Sequence, residues 1–308
     1  MEGTDAQICT AVLPWVVRVA WLVVPFSVGT AVADALDGRS APVQVTAAAL
    51  LWVGWAVVVG ALLVPRPVGL VLARCGAAGA LLAALVATDE PIDLAIGVTP
   101  AIAVLVVLLL PAVGEWFVNG AAYGYERRYL LRAPAPVLVG PLVFAGLLVP
   151  VSLVIGPLLV AARQWVIGAL VTAVGGALAY VLGRALHSMT QRWAVLVPAG
   201  LVLKDHLALL DPVLFRRVDV ESLRRAPADT DALDLTAGAL GLALELDLRS
   251  PQHVDRMRPV RRSAEPFEAR RLLFTPTRPA ALLADAASRR FRVVDQVATP
   301  PPSTSSPS

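Results

Sequence analysis

The residues with the most chemical capacity lie between Gly114 and Pro136, in the stretch GEWFVNGAAYGYERRYLLRAPAP. Glu115, Asn119, Tyr123 and Glu126 follow one another at steps of four, four and three, the spacing that lines up side chains on one helix face. Arg127 and Arg128 come directly after them. Two carboxylates, an amide, a phenol and two guanidiniums on one surface can hold a partner through hydrogen bonds and ion pairs. No catalytic spacing is matched. Two readings suit the stretch. The plainer one notes Trp116, Phe117, Tyr123, Tyr125 and Tyr129 beside arginine, the composition of an aromatic belt touching anionic headgroups. The sharper one makes the loop a docking surface for the C-terminal part of the chain, or a small-ligand site.

A second basic set is RMRPVRR, which carries Arg256, Arg258, Arg261 and Arg262 inside a polar, proline-containing link from Arg249 to Glu268. On a flexible link beside an anionic bilayer each arginine gains about 1 kcal/mol, so these four are candidate lipid contacts. A solvated loop is the competing reading. Over the whole chain 26 basic residues face 23 acidic ones, too even a balance for the positive field that nucleic acid requires. HExxH, GxSxG and the phosphate-binding glycine patterns are absent. Cys9 and Cys75 form neither a zinc motif nor a CxxC pair. The sequence therefore assigns no catalytic residue, no cofactor and no metal ligand.

The elements that must position these residues are mostly apolar helices. Hydrophobic residues make up 57% of the 308 and charged ones 16%, and the charges crowd into the last third. Crossing a bilayer takes about 20 apolar residues in helical form, since backbone groups have no other partner there. Six runs qualify, near Val12–Ala35, Val43–Val64, Val68–Thr88, Ile92–Val113, Val137–Ala162 and Trp165–Gly183. They define a six-span domain over residues 12–183, after an acidic N-terminus at 1–11 that lacks the basic start of a cleaved signal. Arg66, Arg127, Arg128, Arg132, Arg184 and Arg192 fall in alternate loops, which puts both termini in the cytosol of a plasma-membrane protein. Arg18, Asp34, Arg74, Asp93, Glu115 and Arg163 lie within about two turns of a predicted helix end, where long side chains snorkel. No histidine falls inside a span. Gly168, Thr172 and Gly176 predict a close helix contact. Pro14 and Pro25 share their separation with Pro100 and Pro111, as broken helices of a transporter's repeats would, although the surrounding residues do not match.

After a polar linker at 184–192 the pattern changes to short β-rich runs, which predicts a second domain at 193–296 and a disordered tail at 297–308. WAVLVP and GLVLKD read as strands around a Pro198-Ala199-Gly200 turn. PVLFRRVDVESL alternates like one strand. LDLTAG and LGLALELDL read as a hairpin, with Leu242, Leu244, Leu246 and Leu248 inward and Glu245 and Asp247 outward. RRLLFTP is a last strand, and a helix follows near Arg278–Arg290 with Thr277 as N-cap and Pro279 in its first turn.

The runs RWAVLVPAGLVLKD, DPVLFRRVDVESL and FTPTRPAALLADAASRR resemble bacterial PH-domain membrane proteins, over roughly Arg192–Phe291. With one lysine among the basic residues, the whole chain is similar in composition to actinobacterial multi-pass membrane proteins. The expected architecture is an α-helical membrane protein with six transmembrane helices and a C-terminal, mainly-β, PH-like cytosolic domain closed by one helix. The resemblance implies a binding or scaffold module. The expected role is a non-enzymatic scaffold or regulator whose cytosolic domain binds a membrane-protein partner, a second copy, or the inner leaflet. A small secondary transporter or permease component is the alternative.

Overall fold

A computed structural model of the chain describes residues 2–88, 91–258 and 263–294. The tail at 297–308, and Arg261 and Arg262 of the basic set, lie outside the described residues. The first half is helical: α1 (Glu2–Ala35), α2 (Ala41–Leu63), α3 (Pro67–Ala87), α4 (Pro91–Leu109), α5 (Pro111–Asn119), α6 (Ala135–Val139), α7 (Pro141–Ala161) and α8 (Trp165–Met189). Among the described residues, five stretches are long and apolar enough to cross a membrane: Val12–Ala35, Ala41–Leu63, Pro67–Ala87, Ala135–Ala161 and Trp165–Met189. The expected fourth span is interrupted. Pro111 cannot donate its nitrogen to the preceding turn, so α4 stops at Leu109 and α5 sets off at 65° to it. Pro14, Pro25, Pro100, Pro150 and Pro157 are carried inside helices without ending them.

Alanine and glycine on α3 allow its neighbours close in, with Ala73, Ala77 and Ala84 fully buried beside Val17 and Trp21 of α1 and Val58 of α2. The expected helix contact of α8 is made inside the chain, on α7. A Cβ on Gly168 would reach Val160 at 2.6 Å, and Gly175 packs on the Ser152 carbonyl. Gly176 faces open space instead, because α8 turns about 100° per residue and so shows α7 Gly175. Far from forming a linker at residue 184, α8 continues to Met189.

The second half holds β1 (Arg127–Leu130), β2 (Trp193–Val197), β3 (Gly200–Lys204), β4 (Val213–Arg216), β5 (Val220–Arg225), β6 (Leu233–Asp234), β7 (Leu244–Arg258), β8 (Ser263–Phe274), α9 (Pro279–Ser288) and β9 (Val293–Val294). One sheet runs β1-β2-β3-β4 and the other β6-β8-β7-β5-β9. Both sheets and α9 close over one core that includes Tyr129, Leu196, Phe215, Leu246, Phe274 and Leu282. The β2–β3 turn falls where the sequence places it. Gly200 is required there, since a Cβ would run into the backbone of Phe215 and Arg216 on β4.

Four expectations change. PVLFRRVDVESL is two strands in different sheets, broken by the tight Arg216–Asp219 turn. β6 and β7 are no hairpin, because each pairs with β8. The described residues of the Arg249–Glu268 link belong to the paired arms of β7 and β8, in register from Gln252↔Ala269 to Arg258↔Ser263. Thr277 does not cap α9. Arg278 occupies that position, and the Thr277 hydroxyl is buried without a partner among the described residues.

Candidate functional site

The aromatic and charged loop singled out by the sequence enters the β half. Leaving α5, the chain turns through residues 120–126 and runs as β1 along β2, with Arg127 opposite Leu196 and Leu130 opposite Trp193. β1 is thus an edge strand supplied by the helical half. Tyr129 and Leu131 point into the β core, while Leu130 packs into the helical core. Strand alternation sends neighbouring residues to opposite faces, so one strand serves both cores.

Asn119, at the last turn of α5, sets the strand's start. Its Nδ2 donates to the carbonyls of Glu115 and Arg128, each at 2.8 Å, and its Oδ1 accepts the Arg128 N–H at 2.8 Å. The amide thereby replaces a neighbouring strand at Arg128. The helix ends there, so the expected four-residue face stops at Asn119. Tyr123 is 85% exposed, and its N–H donates to Glu126 Oε1 at 2.9 Å. Glu126 also takes Arg128 Nη2. Arg127 stays exposed. The Arg128 guanidinium lies 4.7 Å from the Trp193 ring centre and Lys204 Nζ lies 4.8 Å from it, so two cations share one indole.

Glu115 is the buried member. It is 1% exposed, and Oε2 accepts from Arg278 Nη1 at 3.0 Å across the junction between α5 and the entry to α9. Oε1 has no hydrogen-bond partner among the described residues. α5 turns away from the apolar stretch of α4, and Glu115 on it lies outside the five stretches that are each long enough to cross a membrane. Burial pushes the Glu115 carboxyl up to about 7, against the opposing pull of the Arg278 and Arg127 guanidiniums. The unmatched oxygen fits that direction, because a buried carboxylate with one cation is under-satisfied. The hydroxyls of Thr275 and Thr277, on the β8–α9 segment that carries Arg278, are likewise buried and without a partner among the described residues.

The same junction is fastened at three further points. Tyr129 donates its hydroxyl to Asp285 Oδ2 at 3.0 Å, and burial, followed by the charge of Asp285, raises the phenol above its ordinary range. Leu131 bridges to Pro276, and the Thr277 N–H donates to the Leu130 carbonyl at 2.8 Å. Arg192 and Asp205 form a two-pronged ion pair with both bonds at 2.7 Å, their side chains 1% and 0% exposed. Arg192 Nη1 also donates to the Arg132 carbonyl at 2.8 Å, so this pair joins α8's exit, the β2–β3 hairpin and the end of β1.

Two arginines of the helical half have partners that snorkelling does not require. Arg18 donates to the Leu62 carbonyl at 3.0 and 3.1 Å, between the rings of Trp15 and Trp116. Arg74 donates to the Leu108 carbonyl at 3.0 Å, just before the α4–α5 break. Each thus serves a last-turn carbonyl of a neighbouring helix, a group the helix itself leaves unpaired.

Of the second basic set, the structure does not bring Arg256 into this junction. Arg256 is part-buried on β7, opposite Glu265 and bridged to Leu209. Arg258 is the last residue of that strand. Among the described residues no three acids, histidines or cysteines gather as a metal site. The chemistry of the junction is fastening: ion pairs, amide clamps and a core shared across two halves. Comparison with protein-family models, with curated proteins and with solved structures returns no match.

The sequence missed the buried pair Arg192–Asp205, and a signal for it existed. If Trp193 opposes Lys204 across the hairpin, the next position outward opposes Arg192 to Asp205. Glu245 was expected outward, yet it is fully buried under Arg224 and Thr230. Alternation alone cannot reveal a loop folding over the polar face.

Proposed function

We propose that the chain is a multi-pass membrane protein of the inner leaflet whose C-terminal β module is held against the helix ends as a non-enzymatic scaffold or regulator. The observation that carries this reading is the insertion of β1, a strand from the helical half, into the β module's own sheet. A module tied this way cannot swing on a linker, so it presents a fixed surface at the membrane. Outward-facing apolar residues on the helices, such as Phe26 at 76%, Val86 at 84% and Val166 at 84% exposure, suit lipid rather than water. The arginines in alternate loops support a β module and both termini on the cytosolic side. Two sheets around one core with a single closing helix are in keeping with a PH-like domain.

The 65° break between α4 and α5 favours a second reading, a small transporter, since discontinuous helices build substrate sites. Against it, Pro14 and Pro25 sit in an unbroken α1 and match no second break, and Arg74 occupies the carbonyl freed at the kink.

The test uses the full chain in inside-out membrane vesicles and in proteoliposomes. The protein is expected to stay in the membrane through alkaline carbonate washing, with trypsin reaching its β module from the cytosolic face. Proteoliposomes loaded with a radiolabelled mixture of amino acids, sugars and nucleosides should leak no faster than protein-free ones. Release by carbonate, cleavage only from right-side-out vesicles, or solute flux above background each overturns the reading.

A further inference from the structure

The 120–126 loop, the β2–β3 turn and the end of α9 border a shallow groove of about 490 Å³ whose lining includes Tyr125, Pro198, Arg217, Arg289 and Arg290. Arg289 builds its wall. Its Nη1 donates to the carbonyls of Tyr125 at 2.7 Å and Leu196 at 3.3 Å, while its Nε faces Asp285 Oδ1 at 3.4 Å. Arg217 spends one donor on the Arg289 carbonyl at 3.2 Å and leaves the rest of its fork open. Arg290, held in the left-handed region at φ 65°, is exposed beside it. Neither Arg217 nor Arg290 has an acidic partner among the described residues. The adjacent Arg216, by contrast, is closed by Asp219 at 2.6 and 3.2 Å.

Three guanidiniums around one groove with a single carboxylate leave positive charge unmatched, and like charges repel unless an anion lies between them. A guanidinium fork matches two phosphate oxygens at once, with stronger bonds than a neutral donor makes. Tyr125, 83% exposed, brings an aromatic ring and a hydroxyl to the rim. The loop carrying it leaves from Gly120, which packs on the Pro65 carbonyl between α2 and α3. The groove therefore opens from a loop rooted at the helix ends, where headgroup phosphates would lie.

We infer that this groove binds a phosphate group, presented by an anionic lipid headgroup or by a free phosphate compound, with Arg217 and Arg290 as its ligands and Arg289 as a positioning residue. The lipid source rests on the reading of the chain as a membrane protein; the phosphate chemistry does not.

The full chain in neutral detergent is titrated separately with inorganic phosphate and with short-chain phosphatidylglycerol, reading amide hydrogen exchange in residues 121–126 and 286–292. Protection by at least one probe is expected, with half-saturation moved at least tenfold higher in the Arg217→Gln/Arg290→Gln double variant. Exchange in β2 and β3 should be unchanged in that variant, which shows that it folds. Protection by the lipid alone assigns the headgroup; protection by inorganic phosphate assigns a free phosphate as sufficient. No protection by either probe, or equal protection in a folded double variant, overturns the inference. Carbonate release of the wild type would remove only the membrane reading and leave the inorganic phosphate result to stand.

Discussion

Replacing Asp205 with leucine should loosen the β module more than any surface change, and the structure sets the size of the effect. Arg192 and Asp205 are almost wholly excluded from solvent, and each satisfies the other through two bonds at 2.7 Å. Removing the carboxylate strands a buried guanidinium whose remaining partner among the described residues is the Arg132 carbonyl at 2.8 Å. Breaking one side of a buried pair costs about 3–5 kcal/mol. At about 1.4 kcal/mol per tenfold, that raises the opening constant of the module by roughly 10² to 4 × 10³. The double variant Arg192→Leu/Asp205→Leu leaves no orphan charge. It still forfeits the bonds to the Arg132 carbonyl and from the Leu207 N–H to Asp205 Oδ1, at about 1 kcal/mol each. The double variant should therefore lie closer to wild type than the single one. Hydrogen exchange of the β2 and β3 amides, measured on the full chain in detergent, reads the opening constant directly. A single variant that exchanges within fivefold of wild type, or a double variant as labile as the single, would refute the reasoning.

Three further outcomes follow from the junction. Glu115 binds its proton more tightly folded than unfolded, since burial lifts it from 4.5 to about 7. Stability from this group is thus fully present below about pH 4.5 and is lost as pH rises through 7, a difference of about 3 kcal/mol at 1.36 per unit; Glu115→Gln should flatten that slope in melting temperature against pH, and parallel profiles would contradict it. Tyr129→Phe removes the bond to Asp285 and should cost about 1–2 kcal/mol, whereas Tyr129→Ala opens a cavity worth about 3–5 kcal/mol in denaturant titration. An excised segment starting at Thr190 lacks β1, so it should aggregate or melt well below the full chain, and adding residues 119–132 in trans should restore protection at β2.

Much of the architecture was legible along the chain. Apolar runs between charges and prolines mark the helices because hydrocarbon length and backbone satisfaction allow little else. WAVLVP and GLVLKD declare the β2–β3 hairpin because Pro198 and Gly200 punctuate two short apolar runs, and Pro279 announces the start of α9. Where the expectations changed, the deciding force was non-local. Arg217 and Val218 look as much like strand as their neighbours, but β4 and β5 must join different sheets, which only a turn between them permits. The β7 and β8 arms have the polarity of a loop, and it is their pairing with each other that makes them strands.

By itself the sequence determined the helical half, its candidate spans and most of the strand segments, because each depends on local periodicity and on residues that start or stop an element. Tertiary structure alone decided that the loop after α5 is the first strand of a sheet whose other strands begin more than 60 residues later. It also decided that Glu115 meets Arg278 and that Asp285 receives Tyr129. Contacts across 163 and 156 residues leave no periodic trace, since each partner is one charge among many until the fold sets them side by side. The joint between the two halves exists only there.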